Sequence, residues 1–271
     1  MNDGFTIPQL GLGMMFMPRD ALGELMLQAM RIGYRQFDTA THYGNEALIG
    51  DALKRSEVDR EELFITSKLP DGQHGYDAAM RAFDRSERAI GRIDLYLIHW
   101  PQPPKGLYRE TWRALVRLHK EGRARSIGVA NFTPPLIDEL IDDTGTVPAV
   151  NQIQLHPRYQ QRDVRDYNAR RRIITQAWSP LEHGRALTDP IIGQIAKRLG
   201  RSPAQIVLRW HVQNELVVIP KAASSRHLAD NVEIYDFVLE KSDMALINGL
   251  DSVSGRIGPD PLEHVSDRGG D

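Results

Sequence analysis

Short, mostly apolar runs alternate along this chain with longer stretches in which apolar residues recur every three or four positions. The runs fall at residues 32–37, 63–67, 95–98, 126–130, 149–153, 173–177 and 216–219. A weakly alternating segment at 4–13, closing on Gly11-Leu12-Gly13, reads as a hairpin or a first strand. Between them, Leu22, Leu25, Met26, Ala29 and Met30 form a helical stripe that Asp20 would cap and Gly33 would stop. Further helices are expected over 45–54 and 76–90, through Trp112, Leu115, Val116 and His119 up to Gly122, and from Pro134-Pro135 onward. An arginine-rich stretch before residue 173 reads as a helix with a solvated face. Ser202-Pro203-Ala204-Gln205 is a capping box with proline at the first helical position. Helical patterns around 228–234 and 242–250 follow the last strand.

Strands that are mostly apolar, rather than alternating, belong to parallel sheets covered on both faces. Eight of them, interleaved with helices in 271 residues, predict an α/β fold: a single-domain (β/α)8 TIM barrel over residues 1–265, with a frayed tail at 266–271. A doubly wound sheet is disfavoured because no Gly-x-Gly-x-x-Gly follows a strand.

Composition narrows the chemistry. A net charge of -2 gives no reason for attraction to nucleic acid or to a membrane surface. With no cysteine, disulfides, thiolate nucleophiles and cysteine-ligated metals are excluded. His42, His74, His99 and His156 show no metal-ligand spacing, so no metal is expected. No basic-then-apolar leader and no membrane-length apolar stretch is present, so the expected location is cytoplasmic.

Against that background, Asp38 ends the 32–37 run, and Tyr43 follows five residues later. Lys68 closes the next run and His99 the one after. Singly these have bland readings, as a cap, packing, a solvated lysine and a hydrogen-bonded core histidine. Together, at consecutive strand ends of one barrel, they would share its catalytic face. A phenol of pKa near 10 is a weak donor at neutral pH; an adjacent ammonium would lower that value, and a carboxylate would hold the ammonium in place. A neutral histidine N–H can orient a carbonyl oxygen. The set suits protonation of a carbonyl oxygen, and since it contains no electron source, a hydride donor is implied.

Several motifs carry a resemblance: Phe37-Asp38-Thr39-Ala40 with Tyr43-Gly44-Asn45-Glu46, Ile65-Thr66-Ser67-Lys68-Leu69, Leu97-Ile98-His99-Trp100-Pro101 and Ile219-Pro220-Lys221. Ser126–Phe132, Val150–Ile153 and Trp178-Ser179-Pro180-Leu181 continue it in order along almost the whole chain. The chain resembles the aldo-keto reductase family. That resemblance implies a monomeric barrel reducing small-molecule aldehydes or ketones with NADPH, NADH being the lesser cofactor. It makes Tyr43 the general acid, Lys68 and Asp38 its tuning pair, and His99 the carbonyl-orienting group. It assigns Asn131 and Gln152 to the nicotinamide carboxamide and the ring of Trp178 to stacking, with Ser179 and Leu181 beside them. Lys221, Ser224, Arg226, His227 and Asn231 fall at the adenosine-phosphate end, and Met15, Trp100 and Phe132 at the substrate pocket.

Some positions depart from the family pattern. Ala130 and Ala222 replace serines, Gln154 a common glutamate, Trp178 a smaller aromatic, and Met15 an aromatic; His227 stands where an arginine is usual. The short stretch after Pro261 implies an open, permissive pocket. Two other readings compete: a Schiff-base aldolase with Lys68 as nucleophile, and a catalytically silent cofactor-binding subunit.

Overall fold

The structure is a computed structural model and describes residues 1–267. The first half runs β1 (Leu12–Gly13), α1 (Leu22–Arg31), β2 (Gln36–Asp38), α2 (Glu46–Lys54), β3 (Phe64–Leu69), α3 (Tyr76–Ile90), β4 (Ile93–Ile98) and α4 (Tyr108–Lys120). It continues with β5 (Ala124–Ala130), α5 (Pro134–Thr144), β6 (Val150–Gln154), α6 (Arg162–Arg170) and β7 (Ile174–Trp178). Then come α7 (Pro190–Leu199), α8 (Pro203–Gln213), β8 (Val217–Val218), α9 (Ser225–Val232) and α10 (Lys241–Asn248).

All eight strands are parallel and paired in chain order. The sheet closes on itself where Gly11 N donates to Val218 O (2.9 Å) and Gly13 N to Pro220 O (3.0 Å). Gly13 is required there, because an added Cβ would stand 3.0 Å from the Ile219 carbonyl oxygen. The result is the expected single (β/α)8 barrel.

Its main core lies between strands and helices, where Met26, Phe37, Ile65, Phe83, Tyr96, Trp112, Ile127 and Trp210 are nearly or fully buried. Both buried indoles find partners: Trp112 donates to Thr144 Oγ1 (3.1 Å) and Trp210 to Asn248 Oδ1 (2.8 Å). A smaller cluster around Phe64, Leu95, Leu97 and Val150 is separate from it. Near the start of β4, buried Asp94 is surrounded by Arg60 (2.7 Å), Arg92 and Arg125 (both 3.4 Å). This ion cluster belongs to the N-terminal end of the strands, the end that serves stability in such barrels.

Several boundaries differ from the sequence expectation. The apolar run at 32–37 yields only the short β2, because Gly33 (φ 105°) turns the chain out of α1 first. The 4–13 segment makes no hairpin and contributes just Leu12–Gly13. Ala21, not Asp20, holds the N-cap position of α1, and no side chain caps it. Lys68 lies inside β3 rather than beyond its end. Helix α7 was not foreseen; Asp189 caps it, accepting from Ile191 N and Ile192 N. Within the expected frayed tail, Ser266 N donates to Gln102 Oε1 (2.7 Å) and Lys105 Nζ bonds Ser266 O and Asp267. The remainder of that tail, 268–271, lies outside the described residues.

Candidate active site

The C-terminal ends of β2, β3 and β4 bring Asp38, Lys68 and His99 together beside Tyr43. Lys68 is fully buried and its ammonium has two protein acceptors, Asp38 Oδ1 at 2.5 Å and Thr39 O at 2.9 Å. It also stands 5.3 Å from the centre of the Tyr43 ring. The other carboxylate oxygen, Asp38 Oδ2, accepts from Gln152 Nε2 (2.7 Å), which in turn reaches Gln176 Oε1 (2.8 Å). A polar chain thus runs from Tyr43 through Lys68, Asp38 and Gln152 to Gln176, across four strands.

Tyr43 is half-buried on a single helical turn, Thr41–Tyr43, closed by Gly44 in the left-handed region (φ 63°). The turn is pinned from both sides. Thr39 Oγ1 donates to Asn45 Oδ1 (2.5 Å), Asn45 Nδ2 donates to Met14 O (3.0 Å), and Thr41 Oγ1 donates to Lys68 O (3.2 Å). Thr39 and Asn45 therefore aim the phenol, a role their positions in the sequence did not disclose. The His99 ring stands edge-on to Tyr43 with centroids 6.0 Å apart, and its Nδ1 is buried without a protein partner.

Electrostatics make this a dry site holding one fixed cation. Burial pulls the Lys68 pKa down, but the Asp38 carboxylate and the Tyr43 hydroxyl outweigh it and the net shift is upward. Burial likewise raises Asp38, against the pull of Lys68. For Tyr43 the net direction is opposite to the sequence expectation. Loss of solvent raises the phenol pKa, and the ammonium only offsets part of that rise. Burial, then the positive charge of Lys68, drives His99 well below its usual range, so it is a neutral imidazole.

The proposed nicotinamide residues are contiguous with this cluster. Asn131, in the left-handed region (φ 63°), donates from Nδ2 to His99 O (2.9 Å) and accepts at Oδ1 from Trp178 Nε1 (2.8 Å). Ser179 (φ 50°) starts the turn after β7, its carbonyl accepting from Glu182 N, and Leu181 is partly buried in that turn. Lys221, Ser224, Arg226, His227 and Asn231 form a second group, beyond β8. Ser224 caps α9 by accepting from His227 N (3.2 Å). Lys221 and His227 are exposed, and Arg226 points into solvent 3.8 Å from Asp230. Asn231 is buried, yet its Nδ2 donor has no partner among the described residues. An exposed lysine before the N-terminus of α9 and an orphaned amide donor in that helix's last turn suit an anionic nucleotide with a hydrogen-bonding base.

At the substrate side, Trp100 meets Trp178 edge-on (6.4 Å) and lines a cleft with Phe132, Tyr159, Arg256 and Pro259. Phe132 is 1% exposed and packs mainly on Tyr108, whereas Met15 is 39% exposed on the segment after β1. The pocket is less open than its short C-terminal stretch implied. His264 lies 4.6 Å from the Trp100 ring and 3.1 Å from Asp71 Oδ2, and Ile257 N and Gly258 N are bonded to Gln154. Residues after Ser252 therefore fold back beside the tryptophans. Nothing in their pattern announces this, because isolated prolines, glycines and a histidine carry no periodicity.

A closed parallel barrel with a buried lysine–carboxylate pair, a phenol and a neutral imidazole at its mouth defines a class of oxidoreductase scaffold for carbonyl groups. The Aldo/keto reductase family profile matches residues 9–252, and the chain belongs to that family. It is 45% identical over 263 residues to an aldo-keto reductase of Mycobacterium sp. (strain JLS), covering 96% of this chain and 95% of the other. It is 42% identical to methylglyoxal reductase DkgA of Escherichia coli (strain K12), again over 263 residues, covering 96% and 95%. Among solved structures, a variant of Gox0644 in complex with NADPH superposes with a TM-score of 0.92 at 47% identity, covering 96% and 95%.

Proposed function

We propose that the chain reduces aldehydes and ketones to alcohols with NADPH, with Tyr43 as the general acid. The observation that carries this reading is the ammonium of Lys68, fixed by Asp38 and Thr39 O and directed at the Tyr43 ring, beside a neutral His99. The bound nicotinamide supplies the hydride. Asn131, Gln152 and the Trp178 ring would hold its reactive end, and Lys221, Ser224 and Asn231, with Arg226 or His227, its phosphorylated end. The superposition with an NADPH complex supports this choice of cofactor.

The protein's own contribution is orientation and one proton. His99 directs an N–H at the substrate oxygen and, being neutral, adds no charge that would compete with Lys68. As negative charge grows on that oxygen, Tyr43 delivers its proton and Lys68 stabilises the phenolate left behind. Trp100 and Phe132, with Met15 at the rim, would exclude water over the reacting carbon, so substrates with an apolar or aromatic arm are favoured. The test is loss of the reduced-nicotinamide absorbance over a panel of aldehydes and ketones. A chain that binds NADPH but turns over none of them would overturn the assignment.

An aldolase role for Lys68 is poorly supported, because a Schiff-base amine must be neutral and Lys68 is held charged. Borohydride with substrate should therefore leave no covalent adduct. A monomer working in the cytoplasm is the simplest assembly, since one chain supplies every proposed group; light scattering tests the mass. Among the described residues no helix is long and apolar enough to cross a membrane.

A further inference from the structure

Gln154 is the last residue of β6 and takes no part in the proton chemistry, yet its side chain is buried and fully engaged. Its Oε1 accepts from two successive amides of the C-terminal segment, Ile257 N at 3.1 Å and Gly258 N at 2.8 Å. Its Nε2 donates to Gly255 O (3.3 Å) and lies 2.9 Å from His156 Nε2. The amide nitrogen can only donate, so this contact takes the neutral His156 tautomer with Nε2 unprotonated, and burial, which pulls the His156 pKa down to about 4, keeps the ring neutral. One amide side chain thus clasps the 255–258 stretch at both a donor and an acceptor.

What the clasp holds in place is Gly258. An added Cβ there would stand 2.7 Å from Trp178 Cη2 and 3.3 Å from Gln154 Oε1, so this backbone lies against the six-membered edge of the indole. The opposite edge is tied by Nε1 to Asn131 Oδ1. Trp178 is therefore held at both edges, and it lines the cleft beside Trp100. Gly255 seats the segment further in, since an added Cβ would meet Arg158 O at 1.9 Å.

We infer that Gln154 is a positioning residue for cofactor binding: by clasping residues 255–258 it fixes the tilt of the Trp178 ring on which the nicotinamide stacks. This rests on the stacking role proposed for Trp178. A glutamate at 154 would keep the two accepted bonds and lose the two made by Nε2, whereas leucine loses all four.

The test uses the full chain with NADPH. Amide hydrogen exchange of residues 255–258 is followed with cofactor bound, together with NADPH affinity and the separate kcat and KM of carbonyl reduction. Gln154→Leu should speed exchange in that stretch and weaken NADPH about tenfold, the share of the four lost contacts that reaches the indole. Gln154→Glu should retain most of the affinity. Gly258→Ala, which leaves Gln154 in place but pushes on the indole edge, should also weaken NADPH, and it decides the matter if the leucine variant fails to fold. Faster exchange in Gln154→Leu with affinity within twofold of the parent would overturn the inference, as would an unchanged Gly258→Ala. Trp178→Ala separates the two layers. Unaltered affinity there removes the stacking role and the clasp with it. Loss there without loss in the other two variants removes the clasp alone.

Discussion

Lys68 shows how one buried charge sets the behaviour of its neighbours. It has no solvent contact, and removing one partner of such a pair costs on the order of 3–5 kcal/mol unless the other is neutralised. In Lys68→Met, Asp38 is therefore expected to take up a proton, and Tyr43 to lose the only force that opposes burial. With Tyr43 as the proposed acid, reduction requires it protonated, so kcat/KM is expected to fall as pH rises through the phenol's pKa. Without Lys68 that alkaline limb should move to higher pH while the plateau drops, because a weaker acid donates less readily. A limb that stays in place would show that another group titrates there. Tyr43→Phe should lower reduction by ~10²- to 10⁴-fold, with NADPH affinity nearly intact. Retention of more than a tenth of the rate on an unactivated ketone would remove Tyr43 from the role. Asp38, Lys68 and His99 were legible in the sequence because each interrupts an apolar run where a strand ends. Gln176, Thr39 and Asn45 were not, because their value lies in pairings between residues whose contact only the folded barrel creates.

Elements with strong local chemistry were the ones read correctly. The capping box of α8 forms as written, Gln205 N donating to Ser202 Oγ (3.2 Å) and Ser202 N to Gln205 Oε1 (2.9 Å). Helix α3 spans the expected residues 76–90. The two-residue strand β1 gave little signal, since barrel closure rather than local pattern makes it a strand, whereas β8 keeps only the middle of the run expected at 216–219. Helix α2 offers two tests of how elements pack. Its Gly50 lies against α3, where an added Cβ would come within 1.9 Å of Ala89 O. Gly50→Ala should thus destabilise by ~1–3 kcal/mol in denaturant unfolding, despite alanine's better helix propensity. At the start of the same helix, buried Glu46 accepts from Ser67 Oγ (2.5 Å), and burial raises its pKa above 4.5 despite that bond. A raised carboxyl favours the protonated fold. Its contribution is complete below the unfolded value and is lost as pH climbs through the folded one. Glu46→Gln should remove that slope, so melting temperatures of parent and variant should diverge in the variant's favour from about pH 5 upward. Parallel curves would mean that Glu46 is solvated as an anion.

At the scale of the molecule, the barrel was legible from the rhythm of its strands, while the folded-back C-terminal segment was not. The arrangement that results places a stacking ring and amides after β5–β7 and a cationic group after β8, so a dinucleotide would lie across the mouth between them. Selectivity for NADPH over NADH then rests on the 2′-phosphate alone. Near it this chain offers Lys221, exposed and with no ion pair among the described residues, and the hydroxyl of Ser224, which accepts from His227 N in capping α9 and keeps its own O–H to donate. Ala222 is buried and has no donor to give. Arg226 is 88% exposed and faces Asp230, so its charge is partly answered by its own helix. His227, one residue on, occupies the position at which an arginine could present a planar fork to the phosphate. We expect NADPH to bind more tightly than NADH, with NADH still used at measurable rates. His227→Arg should add a charge-assisted contact and tighten NADPH about tenfold, leaving NADH affinity unchanged. Direct titration of both cofactors against parent and variant checks this. Tighter binding of NADH than NADPH by the parent, or equal gains for both cofactors in the variant, would mean that the phosphate is not received at the Lys221–His227 end.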